Sequence, residues 1–351
     1  MTSESNTQRN TRICWLEGVL SIMVTFGIEF LANEPAEKLS EIVRLSEENG
    51  LSYAWITDHY NNRDAFSLLT YIAARTDSIK LGPGVTNPYT RTAPQLASAI
   101  ATLHEVSGGR AVLGIGPGDR ITFEKLGIEW MRPVRTVRET VSIIRQLLAR
   151  KKVSYDGEIF KTRDAKLDFA TDLSDLPDVP VYIGAQGPKM LRLAGEVGDG
   201  VLVNASHPLD FAEAVPALKA GGADLATFDV AAYTSFSIAD RKDDAISAAK
   251  PVVAFIVAGS PAGVLERHEI PPGDIEAVRN GFKKSFSDAI RAVTGDMIDA
   301  FAICGTPAEC MDRIEELVNA GVTQIIPGSP IGPDRIRAIR SIGEDIIPNW
   351  R

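Results

Sequence analysis

The chain is 351 residues long, 44% hydrophobic and 24% charged, with a formal net charge of −9. That acidic balance argues against a nucleic-acid surface, which needs a basic footprint, and no apolar run approaches the roughly 20 residues that span a bilayer. Its cysteines, Cys14, Cys304 and Cys310, have no metal-ligand spacing and make no disulfide framework, so a reducing cytoplasm is the expected setting.

Residues 1–22 read as an extension outside the main fold. The stretch from Ile13 to Met23 is moderately apolar, but Glu17 interrupts it and no Ala-x-Ala cleavage site follows. Met23 stands directly before the first strand and is a candidate functional start. From there the chain repeats a unit of strand, polar loop and helix. Strand one covers residues 25–30, and an amphipathic helix over 34–49 ends at Gly50. Strand two is 53–57 and its helix 64–76; strand three enters at 79–81 and is followed by a helix over 93–106. Strand four, 110–115, leads to a helix that Pro133 opens at a first-turn position and that runs to residue 149. Residues 151–178 are polar and form an insertion, in which Val153-Ser154-Tyr155 and Ile159-Phe160 flank the hairpin signal Asp156-Gly157.

Strand five (179–183) and its helix (189–197) follow, then strand six (200–204) with a helix over 209–219. Strand seven (229–238) is almost wholly small, β-branched or aromatic. Residues 240–300 are helical but overlong for one unit, and so contain a second insertion. Thr306 and Glu309 fit an N-cap and its capping-box partner. Strand eight (324–326) and a closing helix (335–346) complete eight units. Residues 23–351 are thus expected to form one α/β domain, a (β/α)8 TIM barrel with insertions, whose loops after the strands build a shared site.

Those loops hold the unusual chemistry. They include Ile56-Thr57-Asp58-His59, Leu81-Gly82-Pro83-Gly84-Val85-Thr86-Asn87-Pro88, Gly114-Ile115-Gly116-Pro117-Gly118-Asp119, Tyr182-Ile183-Gly184-Ala185-Gln186-Gly187-Pro188, and a last one from Pro327 to Asp334. Glu29 lies near the end of strand one, and alternation puts it on one face with Gly27. Pointing outward it would join a structural ion pair; pointing inward, burial would raise its pKa and make it a proton donor near neutral pH. Asp58 and His59 either cap and pack a turn or meet a ligand at the rim, and Asp119 has the same two readings. Glycines around Pro83 point to a bulge where a flat ligand approaches the backbone, or to a simple turn. Gly184 to Pro188 runs into a helix whose free N–H groups can hold a phosphate. No Gly-x-Gly-x-x-Gly heads a βαβ unit, which excludes a Rossmann site. His104, His207 and His268 show no zinc or iron spacing; His104 reads as a packed helix residue, and His207 as a helix start or a phosphate contact.

Together these segments, with Phe26-Gly27-Ile28-Glu29-Phe30, Val252-Val253-Ala254-Phe255-Ile256 and Gly328-Ser329-Pro330-Ile331-Gly332-Pro333-Asp334, resemble the methylenetetrahydromethanopterin reductases of the bacterial luciferase-like superfamily. The resemblance runs from about Met23 to the C-terminus. It implies a cytoplasmic oxidoreductase of archaeal one-carbon metabolism and methanogenesis, using coenzyme F420, an 8-hydroxy-5-deazaflavin, and no metal. Hydride would pass reversibly between the coenzyme and the methylene carbon of a tetrahydromethanopterin-type pterin, giving the methyl form. By the same resemblance Glu29 matches a strand-one glutamate that protonates the departing pterin nitrogen. Asp58 and His59 would contact the coenzyme. Gly84, Val85 and Thr86 would form a bulge behind its ring, with a non-prolyl cis peptide at Gly84–Val85. Gly118 and Asp119 would line the site, Gln186 and Gly187 would hold the phosphate, and Asn204 would lie beside them. Related sugar-phosphate dehydrogenases have a lysine where His207 stands. A homo-oligomer, dimer or tetramer, is the expected assembly. Three other readings compete: an FMN-dependent luciferase-like monooxygenase, another F420-dependent dehydrogenase acting on an alcohol or sugar phosphate, and a non-enzymatic barrel. Because coenzyme and pterin are both anionic, a basic patch is expected at the mouth, drawn from Arg91, Arg120, Arg163, Lys189, Arg192 and Arg335.

Overall fold

Short strands buried on both faces alternate with helices that bury one stripe, and such a chain satisfies both by winding the strands into a parallel ring inside a ring of helices. A computed structural model describes residues 13–16, 19–169, 173 and 175–350. The strands β1 (Ile13–Leu16) and β2 (Val19–Ile22) pair antiparallel as a two-stranded sheet of their own. Then come β3 (Thr25–Phe30), α1 (Ala36–Glu48), β4 (Tyr53–Ile56), α2 (Ala65–Ala73), β5 (Lys80–Pro83), α3 (Ala93–Val106) and β6 (Leu113–Ile115). After β6 lie α4 (Arg120–Leu126), α5 (Pro133–Leu148) and the antiparallel hairpin β7 (Val153–Asp156) and β8 (Lys161–Ala165). The second half holds β9 (Val181–Gly184), α6 (Pro188–Val197), β10 (Gly200–Val203), α7 (Pro208–Ala220) and β11 (Asp229–Ile238). Residues 240–300 carry α8 (Lys242–Gly259), α9 (Ala262–Arg267), α10 (Pro272–Lys284), α11 (Phe286–Arg291) and α12 (Gly295–Phe301), and α8, α9, α10 and α12 share a separate apolar cluster around Val253, Val278 and Met297. The chain finishes with β12 (Ile303–Gly305), α13 (Pro307–Asn319), β13 (Gln324–Ile331) and α14 (Arg335–Ser341).

Eight of these strands form the barrel in the order β5-β4-β3-β13-β11-β10-β9-β6, and β12 adds to β11 outside the ring. Every pairing along that order is parallel. Isolated parallel bridges, Leu81 to Ala111 and Thr86 to Ile115, join β5 to β6 and close it. The interior is plugged by Tyr53, Trp55, Val112, Tyr182, Leu202, Ala231 and Ile326, with Tyr53 and Trp55 stacked at 6.0 Å and Tyr182 edge-on to Trp55 at 5.2 Å. A buried aromatic plug needs partners for its polar tips. Asp229, at the floor, accepts from Tyr182 Oη at 2.7 Å, from Gln324 Nε2 at 3.0 Å and from Thr323 Oγ1, and Gln324 Oε1 accepts from Trp55 Nε1 at 3.2 Å.

The structure departs from the sequence reading in several places. Strand eight does not stop at residue 326: β13 runs to Ile331 through Pro327, Gly328 and Pro330. The second hairpin strand starts at Lys161 rather than 159, because Glu139 of α5 accepts the backbone N–H groups of Glu158, Ile159 and Phe160, each at 3.0 Å, and draws them into the turn. Besides the β1–β2 pair in the extension, two elements within residues 23–331 were not foreseen. Helix α4, seven residues long, is started by Asp119 and ended by left-handed Gly127, and β12 is a three-residue strand.

Candidate active site

Loops leaving the C-terminal ends of β4, β5, β6, β9 and β10 surround a cavity of about 720 Å³ at the barrel mouth. Thr57, Asp58 and His59 enter it from the end of β4, Gly84 and Val85 from β5, Gly118 and Asp119 from β6, Gln186 and Gly187 from β9, and Asn204 from β10. The Gly84–Val85 bond is cis. The Gly84 carbonyl accepts from Tyr233 Oη at 3.0 Å, which ties that wall to β11 across the barrel.

Asp58 is held by one oxygen. Its Oδ2 accepts from Thr86 Oγ1 at 2.7 Å and from Arg91 Nη1 at 2.6 Å, while Arg91 also pairs with Asp64. Among the described residues no donor reaches Oδ1. Thr86 is fully buried and absent from the lining, so it reaches the cavity only through Asp58. Beside Asp58, Thr57 Oγ1 is buried without any hydrogen-bond partner. Asp119 accepts the N–H of Thr122 at 2.8 Å and thereby caps α4 while still lining the cavity. Gln186 Nε2 donates to the Asn204 carbonyl at 3.3 Å. Gly187 caps α6 with no side-chain acceptor; Pro188 has no N–H and those of Met190 and Leu191 donate to the Gly187 carbonyl, so the Lys189 N–H of the first turn is left to a ligand or to water.

Glu29 is buried on the inner side of β3 and is absent from the cavity lining. No cation pairs with it among the described residues. Its Oε2 accepts from Ser329 N at 2.9 Å and from Ser329 Oγ at 3.3 Å. A Cβ on Gly328 would stand 2.9 Å from that oxygen and 2.6 Å from the Thr234 carbonyl, so the carboxyl can sit there only beside a glycine. Burial pushes the Glu29 carboxyl above its ordinary range, and the two Ser329 donors pull it partly back. Tyr233 lies between these two regions in function: it lines the cavity, and its phenol is pushed well up, first by burial and then by the nearby Glu29 carboxylate.

The expected basic mouth is not there. Of the six cations proposed for it, only Arg91 lines the cavity, and Asp58 and Asp64 neutralise it. Arg335 pairs with Glu34, Arg120 with Glu124 and Arg192 with Glu196; Arg163 is exposed on β8, and Lys189 is exposed in the first turn of α6 without lining the cavity. An anionic ligand would meet backbone N–H groups here rather than side-chain charge. His207 is also placed: it caps α7, its Nδ1 accepting from Leu209 N at 3.2 Å. His104 is packed, with Nε2 2.7 Å from the Pro177 carbonyl.

The chain resembles known proteins over nearly its whole length. Residues 18–324 match the luciferase-like monooxygenase family. A 5,10-methylenetetrahydromethanopterin reductase of Archaeoglobus fulgidus is 52% identical over 335 residues, spanning 93% of this chain and 99% of that protein. One from Methanolobus tindarius is 52% identical over 330 residues, spanning 92% of this chain and 100% of its own. The solved coenzyme F420-dependent tetrahydromethanopterin reductase from Methanopyrus kandleri superposes with a TM-score of 0.88 at 46% identity, covering 93% of this chain and 99% of that one. The chain belongs to the luciferase-like family, among its methylenetetrahydromethanopterin reductases. For this member of that family, sequence reasoning missed Thr57, Tyr233 and Ser329. Tyr233 carried a signal: alternation along β11 puts Asp229, Ala231 and Tyr233 on one face. Ser329 carried none, because it lies in a segment that reads as a loop.

Proposed function

We propose that this chain is a coenzyme F420-dependent methylenetetrahydromethanopterin reductase, moving hydride reversibly between reduced F420 and 5,10-methylenetetrahydromethanopterin to give 5-methyltetrahydromethanopterin in one-carbon metabolism and methanogenesis. The observation that carries it is a buried carboxyl with no cation partner, Glu29, held above its ordinary range behind Tyr233, which lines the cavity. Opening the pterin's methylene bridge needs a proton on the departing nitrogen, and a neutral carboxylic acid is suited to deliver it. A hydride-transferring dehydrogenase for a simple alcohol has no such need.

The mouth suits a deazaflavin. Thr57 Oγ1 lacks a partner and Asp58 Oδ1 is open, so both can bond the polar edge of a ring, with His59 at the rim. Gly84 and Val85 give the ring a wall, Gly118, Asp119 and Asn204 border it, and the N–H groups around Gln186 and Gly187 suit a phosphate. When bound, F420 supplies the hydride from its C5. The protein's part would be to hold the ring on that wall, exclude water, and hold the Glu29 proton for the departing pterin nitrogen.

Absorbance of reduced F420, followed with methylenetetrahydromethanopterin and with the tetrahydrofolate analogue, tests this reading. Oxidation of the coenzyme with the methanopterin substrate is expected. Activity only with an alcohol, a sugar phosphate, or FMN and oxygen would overturn it. We further propose that residues 23–351 act as one barrel domain with insertions near 151–178 and 240–300, that residues 1–22 are dispensable for activity, and that the enzyme is a cytoplasmic homo-oligomer, dimer or tetramer, with no nucleic-acid partner. Assay and gel filtration of a chain starting at Met23 check these points together.

A further inference from the structure

The two oxygens of Glu29 are not equivalent. Both donors of Ser329 fall on Oε2, at 2.9 Å from the backbone nitrogen and 3.3 Å from the hydroxyl, and no donor among the described residues reaches Oε1. A backbone N–H can only donate. Oε2 therefore accepts in every protonation state, and because the carbonyl oxygen of a neutral carboxyl is a stronger acceptor than its hydroxyl oxygen, two donors on Oε2 favour the proton on Oε1. We propose that Ser329 is the positioning residue of the proton donor: by fixing Oε2 as an acceptor it confines the transferable proton to Oε1. This deepens the reading of Glu29 as the acid and rests on it.

Ser329 is well placed for the task. It belongs to β13, at the irregular step where the pairing with β11 shifts register between Gly328 and Ile331, and Ser235 Oγ donates to its carbonyl at 3.4 Å. Gly328 leaves the space through which the carboxyl reaches it. Among the described residues, other elements around Glu29 offer no competing charge. From β11 comes Tyr233, whose phenol stays neutral far above neutral pH, and from β4 the register partner is Trp55, which carries none. A hydrogen bond from the Ser329 hydroxyl favours the ionised carboxyl. The same residue thus orients the acid and keeps its proton releasable, as an acid that must be reloaded each turnover requires.

The test uses the full chain carrying Ser329→Ala, Ser329→Cys or Ser329→Thr, with Glu29→Gln to identify the Glu29 band. The infrared carboxyl stretch of Glu29 is titrated without coenzyme, and kcat is measured against pH with F420 and methylenetetrahydromethanopterin. Ser329→Ala is expected to raise the band's midpoint and the alkaline limb of kcat together by about one pH unit. Ser329→Cys, a weaker donor, should fall between, Ser329→Thr should restore the native midpoint, and the F420 Kd should stay within about twofold. An unmoved midpoint in Ser329→Ala, with the band present, overturns the proposal. Full turnover in Glu29→Gln would instead remove Glu29 as the acid, while the titration still decides whether Ser329 holds it.

Discussion

At the floor of the barrel Asp229 accepts from Tyr182, Thr323 and Gln324. Nearby, Arg110 uses all five of its N–H groups, on Ser107 O, Thr76 Oγ1, Ile79 O, Ala73 O and Thr76 O, at 2.7 to 3.0 Å. At the mouth, Glu29 meets only Ser329, Asp58 uses one oxygen, and Thr57 Oγ1 meets nothing. Both ends bury polar groups, yet Asp229 and Arg110 at the floor are satisfied from within while Glu29, Asp58 and Thr57 at the mouth are not. A buried group left short of partners costs stability, so a fold retains one where something else completes it. Among the strand ends and their loops, spare hydrogen-bonding capacity therefore marks the end of the barrel that binds. Changes at the floor should lower stability and spare chemistry; changes at the mouth should do the reverse.

The strongest attempt to break that contrast is Glu29→Gln. It keeps shape and removes the proton, so turnover should fall about 10²–10⁴-fold, or roughly 3–5 kcal/mol of transition-state stabilisation, with F420 binding retained in a fluorescence titration. The same variant sharpens the contrast through pH. Because the Glu29 carboxyl is raised on folding, its contribution to stability is fully present below the ordinary carboxylate value and is lost as pH rises through the raised one. Glu47 has the opposite sign. Burial raises it, but the backbone N–H groups of Asp77, Ser78 and Ile79 outweigh that and leave it lowered, so its contribution is present at neutral pH and lost in acid. Thermal melts from pH 5 to 8 should show the native protein losing ground to Glu29→Gln as pH rises; parallel curves would mean that the carboxyl is not raised.

Asp229→Asn comes next in size. It turns an acceptor of three donors into a group with an amide N–H facing them, and should cost on the order of 3 kcal/mol in denaturant unfolding. Turnover per folded molecule should stay near native, since Asp229 lies at the far end from the cavity. Thr57→Val should be smaller and opposite: stability rises slightly as an orphan hydroxyl is replaced by a methyl, while F420 affinity falls about fivefold, near 1 kcal/mol. Unchanged affinity would mean the hydroxyl faces no ligand. Smallest is Thr306→Ala. That threonine and Glu309 form a full capping box on α13, far from the mouth, and a drop of about 1 kcal/mol in stability with native kinetics is expected.

Local patterns were legible wherever local chemistry decided the structure. Helix α3 and strand β11 have the bounds that periodicity and β-branching indicate, and the Thr306 box forms as its spacing requires. Alternation put Glu29 and Gly27 on one face, but not which face looked inward. What settled it was Ser329, three hundred positions away in sequence. Two prolines and a glycine in six residues argue against a strand, yet the ring carries 324–331 as one because β11 and β3 flank it. Charge was misread for a related reason. Arg91 sits at the mouth as expected, but nothing local to it announces that Asp58 and Asp64 will converge on it from the loop after β4.

The joint between β5 and β6 is made by main chain alone. Leu81 N donates to Arg110 O, Val112 N to Leu81 O, Thr86 N to Gly114 O and Gly116 N to Thr86 O, all at 2.9 to 3.0 Å. Between these contacts a Cβ on Gly82 would fall 2.1 Å from the Val112 carbonyl, and one on Gly114 2.2 Å from that of Pro83. Even one methyl at either site would act as a wedge, so this seam cannot be widened by a side chain without parting the strands. A hoop fastened at two points has a preferred place to spring. Deuterium uptake should begin there among the barrel amides, and because Gly84 and Val85 lie between the fastenings, a ligand resting against them would act as a clasp that slows it.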